Sequence, residues 1–590
     1  MMKKLFFILA LPALLFAQEH NNQNQPQNQP KVELPEFVIT GVRPVSLPTV
    51  SKQKAEVVST LSREFFLPGF SPEELSIAEL SNPVRKEITF STDTSKYNGR
   101  LIFGAGAYTL PMGELSYGKS FDNGVFNGKL WGSNVRSYYK DNSGYNNSGL
   151  DLNGSFFNSY NSGFLPGTKF NVGGGYERDS YKFFASSKTP DLQRDRNKGN
   201  IRVGLTNDLK ENLKYGLSFN DGILYIKDAD VKENVFNAKG YFETGLTGMT
   251  LSINAGLKSQ NLSNIVSQTF NFFENSASLK FKPSDNLHFS AGFYYAVSGD
   301  NTSFFPTGTI TLKFSDNLTL LGEMSPYSEL VTVQDLIYQN QYLDLNPIEY
   351  PKIFRMAQQL DPPFALQKDA ALLGQGAVSS GKNASGVNST TSSETGYPTI
   401  PVTNVLVDNK YNLKGALKYE FSKFFEIDGG FRFIDYNNYP CFVPGDSSNG
   451  KFNVRAVSAK RFTGFMNFLF HPGPYGIFYG NVQVEHFYDA DNQNIPYIPG
   501  LSSEISYEYN FDFGLKTETH LNLRTGTWAD LPNHTKIDPY INLGVRLGFE
   551  VAPNFNLFTQ LSNILNRNNY IWYGYKEKST DVVFGIDYRF

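Results

Sequence analysis

Apolar and polar residues alternate along most of this chain, from about residue 99 to its end. The last stretch, Asp581 to Phe590, reads DVVFGIDYRF, with every even position apolar and the odd positions mostly polar or small. A period of two puts these two sets on opposite faces of a strand. A soluble strand with one buried face would look the same, so the recurrence of the pattern matters more than any one copy. Aromatics on one face and charges on the other are expected where a strand separates lipid from a wet lumen.

The same division of faces recurs in interior strands. Phe425, Ile427, Phe431 and Phe433 alternate with Glu426, Asp428, Arg432 and Ile434. A charge facing lipid near the midplane would cost about 2–4 kcal/mol, so the charged set is predicted to face inward. The candidate lumen-lining residues chosen on this basis are Glu426, Asp428, Arg432, Arg546, Asp587 and Arg589. They could line a solute path, but a salt-bridge lattice that braces the wall is the favoured interpretation.

Short turns rich in Asp, Asn and Pro separate the predicted strands, because these residues satisfy nearby backbone groups and tolerate left-handed conformations. Ten such turns are expected on one rim, near Asp122, Ser162, Asp208, Leu246, Ser284, Asp316, Ser422, Pro472, Thr517 and Pro553. Ten turns and the chain end close eleven hairpins, which predicts 22 strands. The count is good to two strands, since the segment from Leu521 to Trp528 is a weak strand.

The connections on the other rim are longer and rich in Asn, Ser and Gly, as in Tyr139 to Ser148, Ser187 to Gly199 and above all Ser328 to Asn409. Short turns on one rim and long loops on the other are typical of outer-membrane barrels. The fold class predicted is therefore all-β, a transmembrane antiparallel barrel over 99–590. A soluble β-sandwich would not require so many strands together with this asymmetry. The 328–409 loop is interpreted as a lid or ligand-binding surface rather than variable decoration.

Composition and the N-terminus agree with a membrane barrel. The chain has 40% hydrophobic, 18% charged and 15% aromatic residues, and its net charge of -3 argues against nucleic-acid binding. Residues 1–17 have the basic start, apolar run and small residue of a secretory signal, which is favoured over an N-terminal anchor. The expected location is the outer membrane. One cysteine, Cys441, excludes an intrachain disulfide framework, and it is expected in an outer loop.

Two segments precede the barrel. Residues 18–31 are a polar, low-complexity tether predicted to be disordered, and residues 32–98 form a short N-terminal segment. Within that segment a helix is predicted from Ser71 to about Asn82, with a capping box at its start. A short β-prone run could add a strand to a partner's sheet edge, although an ordinary first strand is the simpler interpretation. It consists of Leu34, Pro35, Glu36, Phe37, Val38, Ile39 and Thr40.

No catalytic motif is apparent in the sequence. The six histidines are scattered without paired-ligand spacing, and there is no phosphate-binding loop or recognisable nucleophile cluster. We expect no enzymatic activity, no cofactor and no metal site.

The end of the chain resembles TonB-dependent receptor barrels. The residues that carry the resemblance are Phe558 to Tyr570, Trp572 to Tyr575 and the last strand to Phe590, together with the segment from Ser325 to Pro347. The resemblance covers roughly 99–590 and implies solute uptake across the outer membrane. It also implies that Tyr588 and Phe590 belong to the signal read by the barrel assembly machinery, and that Leu34 to Gly41 contacts TonB or another periplasmic partner.

The chain departs from this family before the barrel. The family carries a globular plug with Arg-Gly motifs, whereas only residues 32–98 stand in that place and they contain no Arg-Gly pair. A barrel of this size left open would be a wide hole, so the lumen is expected to be occluded by residues 32–98, by the 328–409 loop or by a partner. Three functions stay open: a TonB-dependent-type receptor, a passive porin-like channel, and a non-conducting scaffold for surface proteins.

Overall fold

The structure, a computed structural model, describes residues 98–159, 165–210, 213–263, 268–345, 404–421, 424–445, 448–471 and 473–590. Most of these residues lie in one antiparallel sheet that closes on itself. The first strand, β1 (Gly99–Gly106), pairs with its chain neighbour on one side and with the last strand, β27 (Asp581–Arg589), on the other. The predicted transmembrane β-barrel is therefore confirmed.

Successive strands pair around the barrel in chain order. The remaining strands are β2 (Thr109–Phe121), β3 (Gly124–Val135), β4 (Tyr145–Phe157), β5 (Lys169–Lys182), β6 (Gln193–Lys210), β7 (Leu213–Ile226), β8 (Val231–Leu246), β9 (Met249–Ser263), β10 (Gln268–Ser284), β11 (Leu287–Ser298), β12 (Asn301–Ser315), β13 (Leu318–Met324), β14 (Tyr327–Thr332), β15 (Asn404–Phe421), β16 (Phe425–Pro444), β17 (Phe452–Phe470), β18 (Ile477–Asp489), β19 (Leu501–Asn510), β20 (Leu515–Arg524), β21 (Thr527–Trp528), β22 (Lys536–Ile537), β23 (Tyr540–Ala552), β24 (Phe555–Ser562), β25 (Tyr570–Trp572) and β26 (Tyr575–Lys576).

The barrel wall has 22 strands, as predicted. The main sheet contains 23 segments, and both β13 and β14 pair with β15, so these two are halves of one interrupted wall strand. The short pairs β21–β22 and β25–β26 are separate hairpins in the long loops. One α-helix, α1 (Val333–Gln339), and a 3₁₀ turn at Gly473–Tyr475 are the described helical elements.

The outer face of the barrel is apolar. On β27, Phe584 is 62% exposed and Tyr588 is also exposed, whereas Asp581 and Asp587 on the other face are buried. Exposed phenylalanines also stand at the ends of strands next to the short turns, namely Phe121, Phe314, Phe421, Phe470 and Phe549. An outward apolar band with an aromatic girdle is the surface of a lipid-embedded barrel. In the described part of the chain, no helix is both long and apolar enough to cross a membrane.

The short-turn prediction holds at most described positions. Two-residue turns join strands at 122–123, 247–248, 285–286, 316–317 and 553–554. Gly248 and Asn554 there have positive φ angles of 75° and 68°, the conformation that glycine and asparagine tolerate best. The turn expected near Thr517 was wrong, because Thr517 lies inside β20 and the turn is at 511–514. Asp208 lies near the end of β6, and Ser162, Ser422 and Pro472 lie outside the described residues.

The long connections are shorter than predicted because strands extend beyond the lipid band. Residues 145–148 belong to β4 and residues 193–199 to β6. The bounds predicted for the 328–409 loop were also wrong at both ends, because residues 328–332 lie in β14 and pair with the start of β15 at residues 404–408. Cys441 is not in a loop but in the extended end of β16, where it is 2% exposed. These extensions make a wall that rises above the membrane on the extracellular side.

The predictions for residues 1–97 concern the signal sequence, the tether, the helix near Ser71 and the segment Leu34 to Thr40. All of them lie outside the described residues.

Candidate functional site

A segment of the chain folds into the extracellular end of the lumen. We call Tyr327–Leu345, which contains β14 and α1, the luminal cap. Leu336, Ile337 and Leu343 of the cap are completely or almost completely buried. They belong to a core whose wall members come from the extracellular ends of many strands, among them Leu224, Ile226, Val231, Leu262, Phe270, Phe272, Ile434 and Val454. The first half of the predicted long loop is thus packed against the wall at this end of the barrel.

The wall holds the start of α1 by its backbone. The carboxylate of Glu233 on β8 accepts hydrogen bonds from the amides of Val333 at 3.0 Å and Gln334 at 2.7 Å. Gln260 donates to the same carboxylate at 2.5 Å. Outward neighbours on this part of β8 are Lys232 and Asn234, so the site lies above the lipid band. Burial raises the pKa of Glu233 to about 7, outweighing these three hydrogen bonds.

A lysine holds the same turn from the neighbouring wall strand. Lys258 on β9 donates to the Leu330 carbonyl at 2.7 Å and to the Asp335 carboxylate at 2.9 Å. Asp335 also closes a capping box with Thr332 at the helix start. The orientation of α1 is therefore fixed by two wall strands and by its own cap.

Arg194 binds the C-terminal end of the cap. Its side chain is fully buried at the extracellular end of β6 and forms an ion pair with Asp228 at 2.9 Å. The remaining guanidinium nitrogen donates to the carbonyls of Leu343 at 2.6 Å and Gln341 at 3.3 Å. The ring of Phe183 lies 4.7 Å from the guanidinium carbon. A buried arginine needs all its donors satisfied, and here the cap backbone satisfies part of them.

Loops from opposite sides of the barrel meet over the cap. The β5–β6 loop reaches the β16–β17 loop, where Ser187 N and Ser186 Oγ donate to the Ser448 carbonyl at 3.0 and 2.9 Å. From a third direction, the Tyr575 hydroxyl donates to the Gly450 carbonyl at 2.6 Å. An aromatic cluster lies beneath these bonds, formed by Tyr181, Phe183, Phe184, Tyr342, Phe452 and Tyr575. The described loops thus pack against one another and against Tyr342 of the cap.

A polar recess lies on the lumen side of the wall formed by β18, β19, β20, β23 and β24. Its volume is about 430 Å³. The cross-strand register arranges its luminal side chains in rungs, of which the upper one is Asn481–Glu504–Asn522–Asn542. The next rung is Tyr479–Ser506–His520–Gly544. In the third rung Glu518 lies opposite Arg546, which in turn lies opposite Gln560. The recess is therefore lined by amides, hydroxyls and carboxylates.

Hydrogen bonds within the recess fix several of these groups. Asn522 donates to Glu504 at 3.0 Å, while its own side-chain oxygen is buried without a partner. His520 bridges Ser506 and Glu518, at 3.0 Å to each. Over the residues that the structure describes, no group of three or more His, Cys, Asp or Glu side chains is placed to hold a metal ion. The chemistry available is hydrogen bonding to a polar ligand.

Comparison of this barrel with solved structures identifies its fold. It matches the ferric-catecholate import receptor Fiu from Escherichia coli K12 with a TM-score of 0.54 and 8% identity, over 84% of this chain and 82% of that one. The fold is that of the outer-membrane receptor barrels. The FrpB iron transporter from Neisseria meningitidis matches with a TM-score of 0.56 and 10% identity, over 84% and 82%. The copper transporter OprC gives 0.55 and 9%, over 84% and 80%.

No protein-family model matches the sequence, and no curated protein sequence matches it. The structural likeness therefore concerns the receptor-barrel fold, and it confirms the fold expected from the resemblance to TonB-dependent receptors. Together with the lipid-facing band, this fold places the chain in the outer membrane.

The predicted lumen-lining charges lie on two separate sectors of the barrel. Arg546 and Asp587 come together at 4.0 Å on one sector, and Asp587 also pairs with Arg100. On the other sector, Arg432 donates to Asn412 at 2.9 Å and Glu426 pairs with Lys418 at 3.2 Å. The sets Asp428 with Arg432 and Asp587 with Arg589 share the inward faces of β16 and β27. Their role in a solute path stays a prediction.

The residues that hold the cap were missed. The sequence analysis did not single out Arg194, Glu233 or Lys258, because their partners in the cap lie far away in the sequence. One signal was available for α1: Thr332 and Asp335 have capping-box spacing before the apolar pair Leu336 and Ile337. The first half of the predicted loop is moderately apolar, and its apolar residues are buried in the cap except Tyr338, which is 77% exposed. The buried ones are Leu336, Ile337, Tyr342 and Leu343.

Proposed function

We propose that this protein is an outer-membrane receptor and transporter that takes up a polar solute through a barrel whose mouth is held shut by the luminal cap. The observation that carries the proposal is the buried Arg194 contact, which ties the Leu343 and Gln341 carbonyls of the cap to the wall. A permanently open channel has no use for a packed core across its mouth. The receptor-barrel fold, shared with import receptors and a copper transporter, supports the same conclusion.

Conductance across planar lipid bilayers tests this proposal. The full-length protein is expected to conduct little, whereas Arg194→Ala should open the mouth and give frequent, large current steps. Arg178→Ala is the matched control, because Arg178 is an exposed arginine on the adjacent strand, 3.9 Å from Asp195. Large, steady conductance in the full-length protein would favour the porin-like channel instead. Absence of conductance in Arg194→Ala, and also after deletion of residues 32–98, would favour the scaffold.

Coupling to TonB is the finer part of the proposal. It is supported by the resemblance of the barrel and by the β-prone run Leu34 to Thr40, which suits strand addition to a partner. A pull-down with the periplasmic domain of TonB should retain the full-length protein and lose it when residues 34–41 are deleted. Equal retention of both proteins would remove this part of the proposal. Outer-membrane lipid and the barrel assembly machinery, with Tyr588 and Phe590 as the signal, are proposed as further partners.

A further inference from the structure

We propose that the polar recess on the β18–β24 wall binds an uncharged, hydroxyl-rich solute of the oligosaccharide class. This inference rests on the proposed uptake function and names the chemistry of its cargo. Sugar hydroxyls donate and accept at once, so they match surfaces that present both kinds of group. The recess, about 430 Å³ in volume, is within the size range of small-molecule sites.

The amide groups provide the matching surface. Asn481, Asn522, Asn542 and Gln560 lie within three rungs of the wall, and an amide carries two donor hydrogens and an acceptor oxygen. Part of this capacity is already used, since Asn542 accepts from Asn563 N at 2.9 Å and Asn522 donates to Glu504. The side-chain oxygen of Asn522 is buried and has no hydrogen-bond partner. A buried acceptor without a partner is unfavourable, and a ligand hydroxyl that donates to it would remove this cost.

The charges in the recess disfavour an anionic ligand. Glu504 and Glu518 both line it, and they repel an anion at close range. Arg546 is the lining residue with a permanent positive charge, but it lies 4.0 Å from Asp587 and over the ring of Phe558. Both lining carboxylates already have donors, from Asn522 and His520, so they suit hydroxyls better than a free cation.

Gly544 forms the floor of the recess. It occupies the inward face of β23 beside His520, where any larger residue would project into the cavity. A Cβ added there meets the backbone oxygen of Leu561 at 3.2 Å, so β24 must give by a few tenths of an ångström to accept it. Gly548 is on the same face of the same strand, about 13 Å further toward the short turns, and a Cβ there has its nearest neighbour at 3.9 Å. It lies outside the recess and provides a matched control.

Equilibrium dialysis of the purified full-length protein in detergent tests the inference with two probes. Cellotriose is uncharged, and its oxidised acid, cellotrionate, carries one negative charge at similar size. We expect saturable binding of cellotriose at least tenfold tighter than that of cellotrionate. Gly544→Leu should weaken cellotriose binding at least tenfold and Gly548→Leu less than twofold. The double change Glu504→Gln and Glu518→Gln should reduce the ratio of the cellotriose affinity to the cellotrionate affinity.

The same measurements in the Arg194→Ala background ensure that a closed mouth does not hide the recess. Three results overturn the inference: no cellotriose binding in either background, equal or tighter binding of the acid, or unchanged binding in Gly544→Leu. The conductance experiment is independent of all three. If the protein binds cellotriose but never conducts, the proposed site stands and the proposed uptake function does not. If Arg194→Ala conducts but cellotriose does not bind, only the proposed site is overturned.

Discussion

Arg100 and Asp587 form a two-bonded ion pair across the line where the barrel closes. Arg100 Nε donates to Asp587 Oδ1 at 2.8 Å and Nη2 donates to Oδ2 at 2.6 Å. Near the other end of the same line, the buried carboxylate of Asp581 accepts from Thr109 Oγ1 at 2.7 Å and from Lys578 at 2.7 Å. At each end of the junction between the first and last strands, a carboxylate of β27 thus accepts hydrogen bonds from side chains at the start of the barrel.

Loss of the Asp587 charge should weaken closure. Asp587→Asn retains the shape but gives up a charge-assisted pair, which costs about 1.5–3 kcal/mol. The samples are incubated at increasing temperatures and then run on SDS gels without boiling. The temperature at which the folded band shifts to the unfolded position gives the Tm, which should fall in Asp587→Asn. Glu426→Gln removes a more exposed ion pair with Lys418, 3.2 Å long and on β15 and β16, away from the junction, and should have little effect. Equal losses in both variants would mean that Asp587 has no special role in closure.

A larger residue at position 106 should separate the same two strands. A Cβ added to Gly106 would lie 2.4 Å from the Val582 carbonyl oxygen, and this backbone atom cannot move without breaking the β1–β27 pairing. We expect Gly106→Val to lower the yield of folded barrel several-fold in a refolding assay. Gly113→Ala on β2 is the control, since its Cβ has no neighbour nearer than 3.8 Å. Normal folding of Gly106→Val would show that the junction tolerates displacement.

Docking of the cap should depend on pH through Glu233. Its pKa is raised from 4.5 to about 7 by burial, so the folded state favours the protonated form. The stabilisation is fully present below about pH 4.5 and is lost as pH rises through 7, a change on the order of 3 kcal/mol. Hydrogen exchange at residues 332–340, corrected for its intrinsic rate, should therefore accelerate relative to the wall above pH 7. Glu233→Gln, which cannot ionise, should remove this dependence, and slower exchange at high pH would contradict the assignment.

Cys441 should report on opening of the mouth. The thiol is buried in the same core as the cap, and burial raises its pKa to about 12. Since the thiolate is the reactive form, maleimide labelling of the folded protein should be at least a hundredfold slower than at a cysteine placed in the exposed 122–123 turn. Arg194→Ala should accelerate labelling of Cys441 and leave the turn cysteine unchanged. Fast labelling in the unaltered protein would mean that the core around Cys441 is open.

The strands of the wall could be predicted because the alternation of their two faces is visible in neighbouring residues. Each strand must divide lipid-facing from lumen-facing residues, so Phe431 and Arg432 reveal their faces from sequence alone. The β19–β20 turn was missed because it reads Phe511-Asp512-Phe513-Gly514, and its aromatics belong to the membrane girdle rather than to a polar turn. The cap could not be predicted, because it depends on contacts such as Arg194 with Leu343, 149 positions apart. Sequence patterns record the face of a residue, but not which distant backbone it will meet.

The pairing of β1 with β27 has a consequence for how the protein is made. Arg100 and Asp587 are 487 positions apart, so the first strand has no permanent neighbour on one side until almost all of the others are in place. An unpaired strand edge is a template for association with other chains. The pairing of β27 with β1 removes this edge, so the strand that comes last in the chain is the one that ends the exposure of the first.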